Sequence, residues 1–394
     1  MSDDIIVRIA ARGDGVTADG RHAALAAPGD RLGADGAVMP GPHHQAPPCR
    51  HFPECGGCQL QHVDDVALAA FVADRVRGAL AQHGIETEIR AAHLSPPRSR
   101  RRASLRAMRS GGQIAIGYNT PQSNRIVDLR ECHVLRPELF ALVQPLRGLL
   151  ATMMGKRGVA EVQMTMVDQG VDLAIKGVSA EGLAAAEAIP AFAERFKLAR
   201  LGLDEGYGAE TRFEPEPVTV TLSGVPVAFP PGAFLQATAD GEAALVAAVR
   251  EATAGAAKSF DLFAGLGTFA MAIDGAVVAA EAARDAVLAL SIAARRTGRS
   301  ITVEHRDLYR RPLAVDELVG DAAVLDPPRA GAFEQVRELA GSAVARIAYV
   351  SCNPATFARD AEILCAGGYR LLWVQPVGQF RWSTHVELAA AFAR

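Results

Sequence analysis

The stretch Asp261-Leu262-Phe263-Ala264-Gly265-Leu266-Gly267-Thr268-Phe269 decides the fold. It ends one apolar strand-like run and opens a helical one. Its glycines permit a tight turn and let a ligand approach the backbone closely. Outward from it, strand-like runs recur at residues 259–263, 276–280, 301–303, 322–325, 346–350 and 371–374, with helical patterns between most of them. That alternation predicts an α/β architecture with a doubly wound, mostly parallel sheet.

In such sheets ligands bind beyond the carboxyl ends of the strands. Glu281 ends the second run, where a ribose-hydroxyl acceptor stands, and Asp307 follows the third, where a carboxylate can accept from an adenine amino group. The third glycine of a GxGxxG loop is replaced by Ala270. The spacing therefore suits S-adenosylmethionine better than a pyrophosphate cofactor. Gly265 and Thr268 join the acids as candidate cofactor contacts.

Two further motifs reach the same rim. Asp326-Pro327-Pro328-Arg329 follows the apolar run 322–325, and its prolines fix a turn there. Ser351-Cys352-Asn353-Pro354 follows the next run, with a helix starting near Ala355. A helix N-terminus lowers a thiol's pKa and favours the thiolate. A thiolate beside a methyl donor has a chemical logic. Carbon 5 of uracil is a poor nucleophile, and adding sulfur to carbon 6 turns it into an enolate carbon able to attack a sulfonium methyl. Expelling the sulfur then needs a base for the carbon 5 proton. Glu387, in a strand-like segment near the chain end, is the candidate.

The first two-thirds of the chain read differently. Residues 5–40 carry short apolar stretches broken by Gly and Asp, which suggests a small β-barrel or meander. Pro42, Pro47 and Pro48 mark a linker. A helix is expected over about 66–80. Another is expected over about 137–153, with Pro145 kinking or breaking it. Residues 158–230 mix short strands with one Ala/Glu-rich helix. Cys49, Cys55, Cys58 and Cys132 supply four thiolates, enough for a 4Fe–4S cluster. Structural zinc is the competitor, with His51 and His62 as substitute ligands. Net charge is −3, yet residues 89–127 hold eight arginines and no acid. A local basic surface binds phosphate whatever the global charge.

Together, the segment Cys49 to His62, Asp326-Pro327-Pro328-Arg329, Ser351-Cys352-Asn353-Pro354 and His385-Val386-Glu387 resemble the RNA uracil-C5 methyltransferases, in the right order over nearly the whole chain. The nearest branch is the iron–sulfur 23S rRNA (uracil-5-)-methyltransferases. The resemblance implies Cys352 as nucleophile and Glu387 as base. It implies cofactor contacts from Gln236, Phe263, Glu281, Asp307 and Asp326, and a 4Fe–4S cluster on Cys49, Cys55, Cys58 and Cys132. It further implies a short TRAM- or OB-like barrel over 1–45, a central α+β iron–sulfur domain over 46–230 and a Rossmann-like class I methyltransferase domain over 231–394. Ala264 stands where relatives often carry Cys, and Thr268 where some carry Asn. The shortened N-terminal segment shifts weight to Arg98, Arg100, Arg101, Arg102 and Arg106 as RNA contacts.

The expected partner is RNA, 23S rRNA first and tRNA as the alternative. Another reading is a non-catalytic RNA-binding protein whose cluster senses redox state. No apolar run reaches the ~18–20 residues of a membrane span, and the acidic N-terminus has no signal-peptide pattern. A cytoplasmic monomer is expected.

Overall fold

The computed structural model describes residues 4–206 and 208–394. Residues 1–3, part of the N-terminus read above for a signal peptide, lie outside the described residues. Among those described, the largest sheet has nine strands. Its spatial order is Ile301–His305, Ala276–Glu281, Lys258–Leu262, Ala322–Leu325, Arg346–Ser351, Glu387–Ala393, Arg370–Gly378 and Glu88–Ile89, with His93–Leu94 also paired to Arg370–Gly378. The first five run parallel to one another, and Glu387–Ala393 inserts antiparallel between Arg346–Ser351 and Arg370–Gly378. The central parallel strands are largely apolar because helices cover both faces, while the edge strand Ile301–His305 carries Thr302, Glu304 and His305. All four residues of Ala322–Leu325 are buried. The antiparallel insertion turns the chain so that Glu387 begins its strand at the carboxyl end of Arg346–Ser351, where the register pairs Ser351 with Leu388.

The runs read as strands from the sequence appear as strands, 322–325 with the same bounds and the others shifted or lengthened by one to a few residues. Helix Asp65–Ala81 packs into the same core as this sheet, through Leu68, Phe71, Val72 and Val76. The chain therefore contributes to the C-terminal sheet before it builds the middle of the molecule.

That middle is a six-stranded sheet in the order Ala209–Phe213, Arg200–Asp204, Gly170–Lys176, Val159–Val167, Arg102–Ser110 and Gln113–Gly117. Helices Pro137–Met153 and Leu183–Arg195 pack on it around Leu105, Val162, Leu173 and Leu201. Of the expected kink or break at Pro145, the break does not occur, since one helix runs through it. A proline inside a helix costs about 3 kcal/mol or more. Seven residues of this helix are buried, Leu139, Leu142, Val143, Leu146, Leu149, Leu150 and Met153. At about 1.5–3 kcal/mol for each large apolar side chain, burial outweighs the lost hydrogen bond and the ring clash.

The N-terminal segment forms a three-stranded antiparallel sheet, Ile6–Ile9, Gly15–Thr17 and His22–Ala23, and a separate pair, Arg31–Leu32 with Val38–Met39. A bridge from Ile5 to Arg31 joins them.

Candidate active site

The carboxyl ends of the parallel strands open into one cavity of about 910 Å³. Gln236, Phe263, Gly265, Thr268, Glu281, Asp307 and Asp326 all line it, and so do Cys352 and Glu387. Phe263, Glu281, Asp307, Asp326 and Cys352 are brought there by one rule, that successive parallel strands end on the same edge, while Gln236 precedes a helix and Glu387 opens the antiparallel strand.

The loop after Lys258–Leu262 is shaped by backbone that side chains rarely adopt. Phe263, Gly265 and Gly267 have φ of +66°, +54° and +91°. A Cβ on Gly267 would stand 2.4 Å from Leu290 Cδ1, so glycine is what lets helix Arg284–Thr297 close on the loop. At Gly265 nothing lies within 4 Å of where a Cβ would be. Glu281 braces this loop: its Oε2 accepts from the Gly265 N–H at 2.8 Å and its Oε1 from the Ala283 N–H at 2.7 Å. Asp307 Oδ1 accepts from the Tyr309 N–H at 3.0 Å, and the Tyr309 ring meets Phe263 at 5.4 Å. Beneath the loop, fully buried Asp261 accepts from the Ala270 N–H at 2.7 Å. Its other oxygen has no partner. Burial, aided by the charge of Glu281, pushes its carboxyl up to about 7.

The reactive edge holds three ionisable groups that share one field. Burial pushes Glu387 up to about 7, against a hydrogen bond from Gln379 and the positive charges of Arg329 and Arg102. Burial and then the charges of Glu387 and Asp261 hold Asp326 well above the usual carboxylate range. The Cys352 thiol corrects a sequence expectation. Helix Pro354–Ala366 does begin beside it, with Asn353 Oδ1 accepting from the Ala355 N–H at 3.1 Å. Yet burial, followed by the charges of Glu387 and Asp326, pushes the thiol up to about 11. A helix N-terminus offers about half a positive charge, too little against burial and two carboxylates.

Gln379, which no sequence pattern singled out, and the motif residues Arg329 and His385 complete the site. Gln379 Oε1 accepts from the Ala237 N–H at 2.9 Å and its Nε2 donates to Gln236 Oε1 at 2.8 Å, which ties the segment before helix Ala239–Ala252 to the segment before Glu387. Arg329 Nη2 lies 3.1 Å from His385 Nδ1. No spacing in the sequence signals Gln379, because its partners are 143 and 142 residues away.

The five arginines part company. Arg100 and Arg102 line the cavity, Arg100 over the Phe380 ring at 5.4 Å and Arg102 over the exposed Phe234 ring at 4.7 Å. Arg101 is committed within the protein, its guanidinium 2.5 Å from Glu242 and donating to Gln236 O at 3.0 Å. Arg98 and Arg106 are exposed and outside the lining.

Cys49, Cys55, Cys58 and Cys132 line a second, much smaller cavity with Phe52, Tyr118 and Leu129. Burial, reinforced by the neighbouring thiols, pushes Cys55 up to about 11, and burial does the same to Cys58, to about 12. Among the described residues, no three His, Cys, Asp or Glu side chains converge on a single point as ligands of one metal ion. The four cysteines line that small cavity together. His51 and His62 do not line it. His51 Nε2 accepts from the Arg130 N–H at 3.0 Å, and His62 is stacked on Phe52 at 5.7 Å.

Residues 227–394 match the family model of the tRNA (uracil-5-)-methyltransferases. An uncharacterized RNA methyltransferase of Zymomonas mobilis is 50% identical over 393 residues, 99% of this chain and 99% of that protein. The 23S rRNA (uracil(1939)-C(5))-methyltransferase RlmD of Pectobacterium atrosepticum is 31% identical over 372 residues, 90% of this chain and 81% of that one. The chain belongs to the RNA (uracil-5-)-methyltransferase family. It is an RNA methyltransferase that uses S-adenosylmethionine to methylate carbon 5 of uracil. The fold of this methyltransferase is that of the Pyrococcus abyssi tRNA (uracil-54, C5)-methyltransferase solved with S-adenosyl-L-homocysteine, at a TM-score of 0.75 and 22% identity over 100% of this chain and 99% of that one. Among the described residues of the methyltransferase, no helix is long and apolar enough to cross a membrane.

Proposed function

We propose that this methyltransferase modifies a uridine of 23S rRNA, with Cys352 as nucleophile and Glu387 as base. The observation that carries the assignment of roles is the common lining of one cavity by Cys352, Glu387, Asp326 and the glycine loop. The Cys352 thiolate adds to carbon 6 of the uracil, and the electron pair of the 5,6 double bond moves onto the carbon 4 carbonyl. Carbon 5 then takes the methyl group as the donor's sulfur–methyl bond breaks. Glu387 removes the carbon 5 proton, the double bond re-forms and the carbon–sulfur bond to Cys352 breaks. When bound, S-adenosylmethionine supplies the electrophilic methyl and a positive charge that offsets the carboxylates around the thiol. Open space at Gly265, the acids Glu281 and Asp307 and the aromatic pair of Phe263 and Tyr309 suit an adenosine with a cationic tail. Gln236, Thr268 and Asp326 complete the set.

The 23S assignment is supported by the resemblance to the iron–sulfur branch and by the Pectobacterium relative. Arg100 and Arg102 at the cavity, with exposed Arg98 and Arg106, offer cations to the phosphates, while Arg101 shapes the wall. The division at 1–45, 46–230 and 231–394 is part of the same reading, with the N-terminal strands as a TRAM-like aid to RNA binding, in a cytoplasmic monomer. Four cysteines lining one cavity without His51 or His62 suit a 4Fe–4S cluster, whose irons each take one cysteine.

Cys352→Ala tests the mechanism: methylation should vanish, and a variant that still methylates RNA refutes the nucleophile. RNA carrying 5-fluorouracil has no carbon 5 proton to lose, so the wild-type adduct should persist. Mapping 5-methyluridine in rRNA and tRNA from a deletion strain decides the substrate, since a site lost from tRNA alone would overturn the 23S assignment.

A further inference from the structure

The catalytic cavity and the cysteine cavity share a wall. Gly57, Arg100 and Tyr118 line both. Gly57 brings no side chain to it, so the Tyr118 ring and the Arg100 side chain supply the bulk. The ring lies close over Gly57, where a Cβ would stand 3.1 Å from its Cδ2 and 3.3 Å from its Cε2. The backbone holds it there, with the Gly56 N–H donating to Asn119 O at 2.9 Å and the Val127 N–H to Tyr118 O at 2.9 Å.

The same wall is fastened to the reactive edge. The Gln59 and Leu60 N–H groups both donate to Trp382 O, at 2.7 and 2.9 Å. Gln59 Nε2 donates back to Gly56 O at 2.8 Å. Trp382 is buried, has φ of +58° and lies between Phe380 and His385, which line the catalytic cavity. The segment that runs from the second clustered cysteine through the third to Leu60 is therefore one side of the catalytic cavity, at Gly56, Gly57 and Gln59, and a support for the loop before Glu387, at Gln59 and Leu60. The glycine loop, Glu281 and Asp307 hang on other strands and receive none of these bonds.

We infer that Tyr118 is a positioning residue, whose ring is the partition that seals the cysteine site from the catalytic cavity and holds the RNA side of that cavity in shape. It acts on substrate through Gly56, Gly57 and the Gln59–Trp382 link, and it has no part in holding the cofactor. The sealing half rests on the reading of the four clustered cysteines as a cluster site, and the RNA half on the reading of Cys352 and Glu387 given above.

Tyr118→Ala and Tyr118→Phe, prepared anaerobically as metal-loaded protein, test it by three measurements. These are metal release to a chromogenic chelator in air, kcat and KM for RNA, and the Kd of S-adenosyl-L-homocysteine by calorimetry. In Tyr118→Ala, metal release should quicken several-fold and KM for RNA should rise about tenfold, with the Kd of S-adenosyl-L-homocysteine within about twofold of wild type. Tyr118→Phe keeps the ring and should match wild type in all three. Metal release and KM both unchanged in Tyr118→Ala overturn the inference. So does a parallel loss of S-adenosyl-L-homocysteine binding, which marks general misfolding. Should Tyr118→Ala not take up metal, Gly57→Ala replaces it, since its new methyl presses on the ring without removing it. Faster metal release is expected there too, and a wild-type rate refutes the partition. Absence of a 5-fluorouracil adduct in wild type would defeat the catalytic reading while leaving the metal-release comparison intact.

Discussion

Replacing Glu387 with Gln should make Cys352 more reactive in an enzyme that no longer turns over. With its thiol at about 11, Cys352 is thiolate in about one molecule per thousand at pH 8. Burial is the first cause and survives the substitution. The charge of Glu387 is the second, and with its own carboxyl at about 7 that group is mostly ionised at pH 8. The neutral amide of Glu387→Gln thus removes nearly a full negative charge from beside the sulfur. A like charge a few ångströms away shifts a neighbour by about 1–3 units, and the lower end suits a site also facing Arg329. A fall of about one unit raises the thiolate fraction about tenfold. The assay is alkylation by iodoacetamide across pH, quantified at each cysteine by peptide mass spectrometry, with Cys365 as internal reference. Turnover in the same variant should fall by about 10²–10⁴ for want of a base. The methylated Cys352–uracil adduct should then accumulate on ordinary RNA. Alkylation at the wild-type rate would refute the electrostatic argument, and turnover within about threefold of wild type would refute the base.

Four further outcomes follow from the same geometry. Because Glu387 must be ionised to accept a proton, kcat/KM for RNA should fall as pH drops through about 7, and a profile flat from pH 6 to 8 would contradict that role. Asp261→Asn should stabilise the protein at neutral pH: the folded carboxyl holds its proton up to about 7 and the unfolded one only to about 4, so wild-type stability is lost as pH rises between them. The gain in Tm should be absent near pH 4 and full above pH 7. Glu281→Ala removes the acceptor of the Gly265 and Ala283 N–H groups, and the Kd of S-adenosyl-L-homocysteine should rise at least about tenfold by calorimetry. Gly267→Ala sets a methyl group against Leu290 in left-handed backbone and should cost about 1–3 kcal/mol in urea unfolding.

Much of the catalytic half was legible in the sequence because its signals are local. The period of apolar residues marks a strand, and a strand's carboxyl end marks a rim, so Asp261 to Phe269, Glu281, Asp307, Asp326 and Cys352 could be set on one edge without coordinates. The four cysteines were nameable for the same reason: thiols are rare and their spacing is short. Tertiary structure alone decided the rest. The ionisation of Cys352 depends on burial and on carboxylates from two other strands, which outweigh the helix terminus visible beside it in sequence. Pro145 stays within a helix because the buried face around it is large. Arg101 and Arg102 are neighbours in the chain, yet one is spent on Glu242 and the other faces the cavity, since alternate residues of extended chain point to opposite sides. Gln379 and Tyr118 matter only through residues far along the chain, and no local pattern encodes such a contact. What the sequence determined by itself was the set of reactive groups and the edge that carries them. Their charge states, and the wall dividing the thiol of Cys352 from the four clustered cysteines, come from packing, because electrostatics and exclusion of water depend on every group within a few ångströms, whatever its place in the chain.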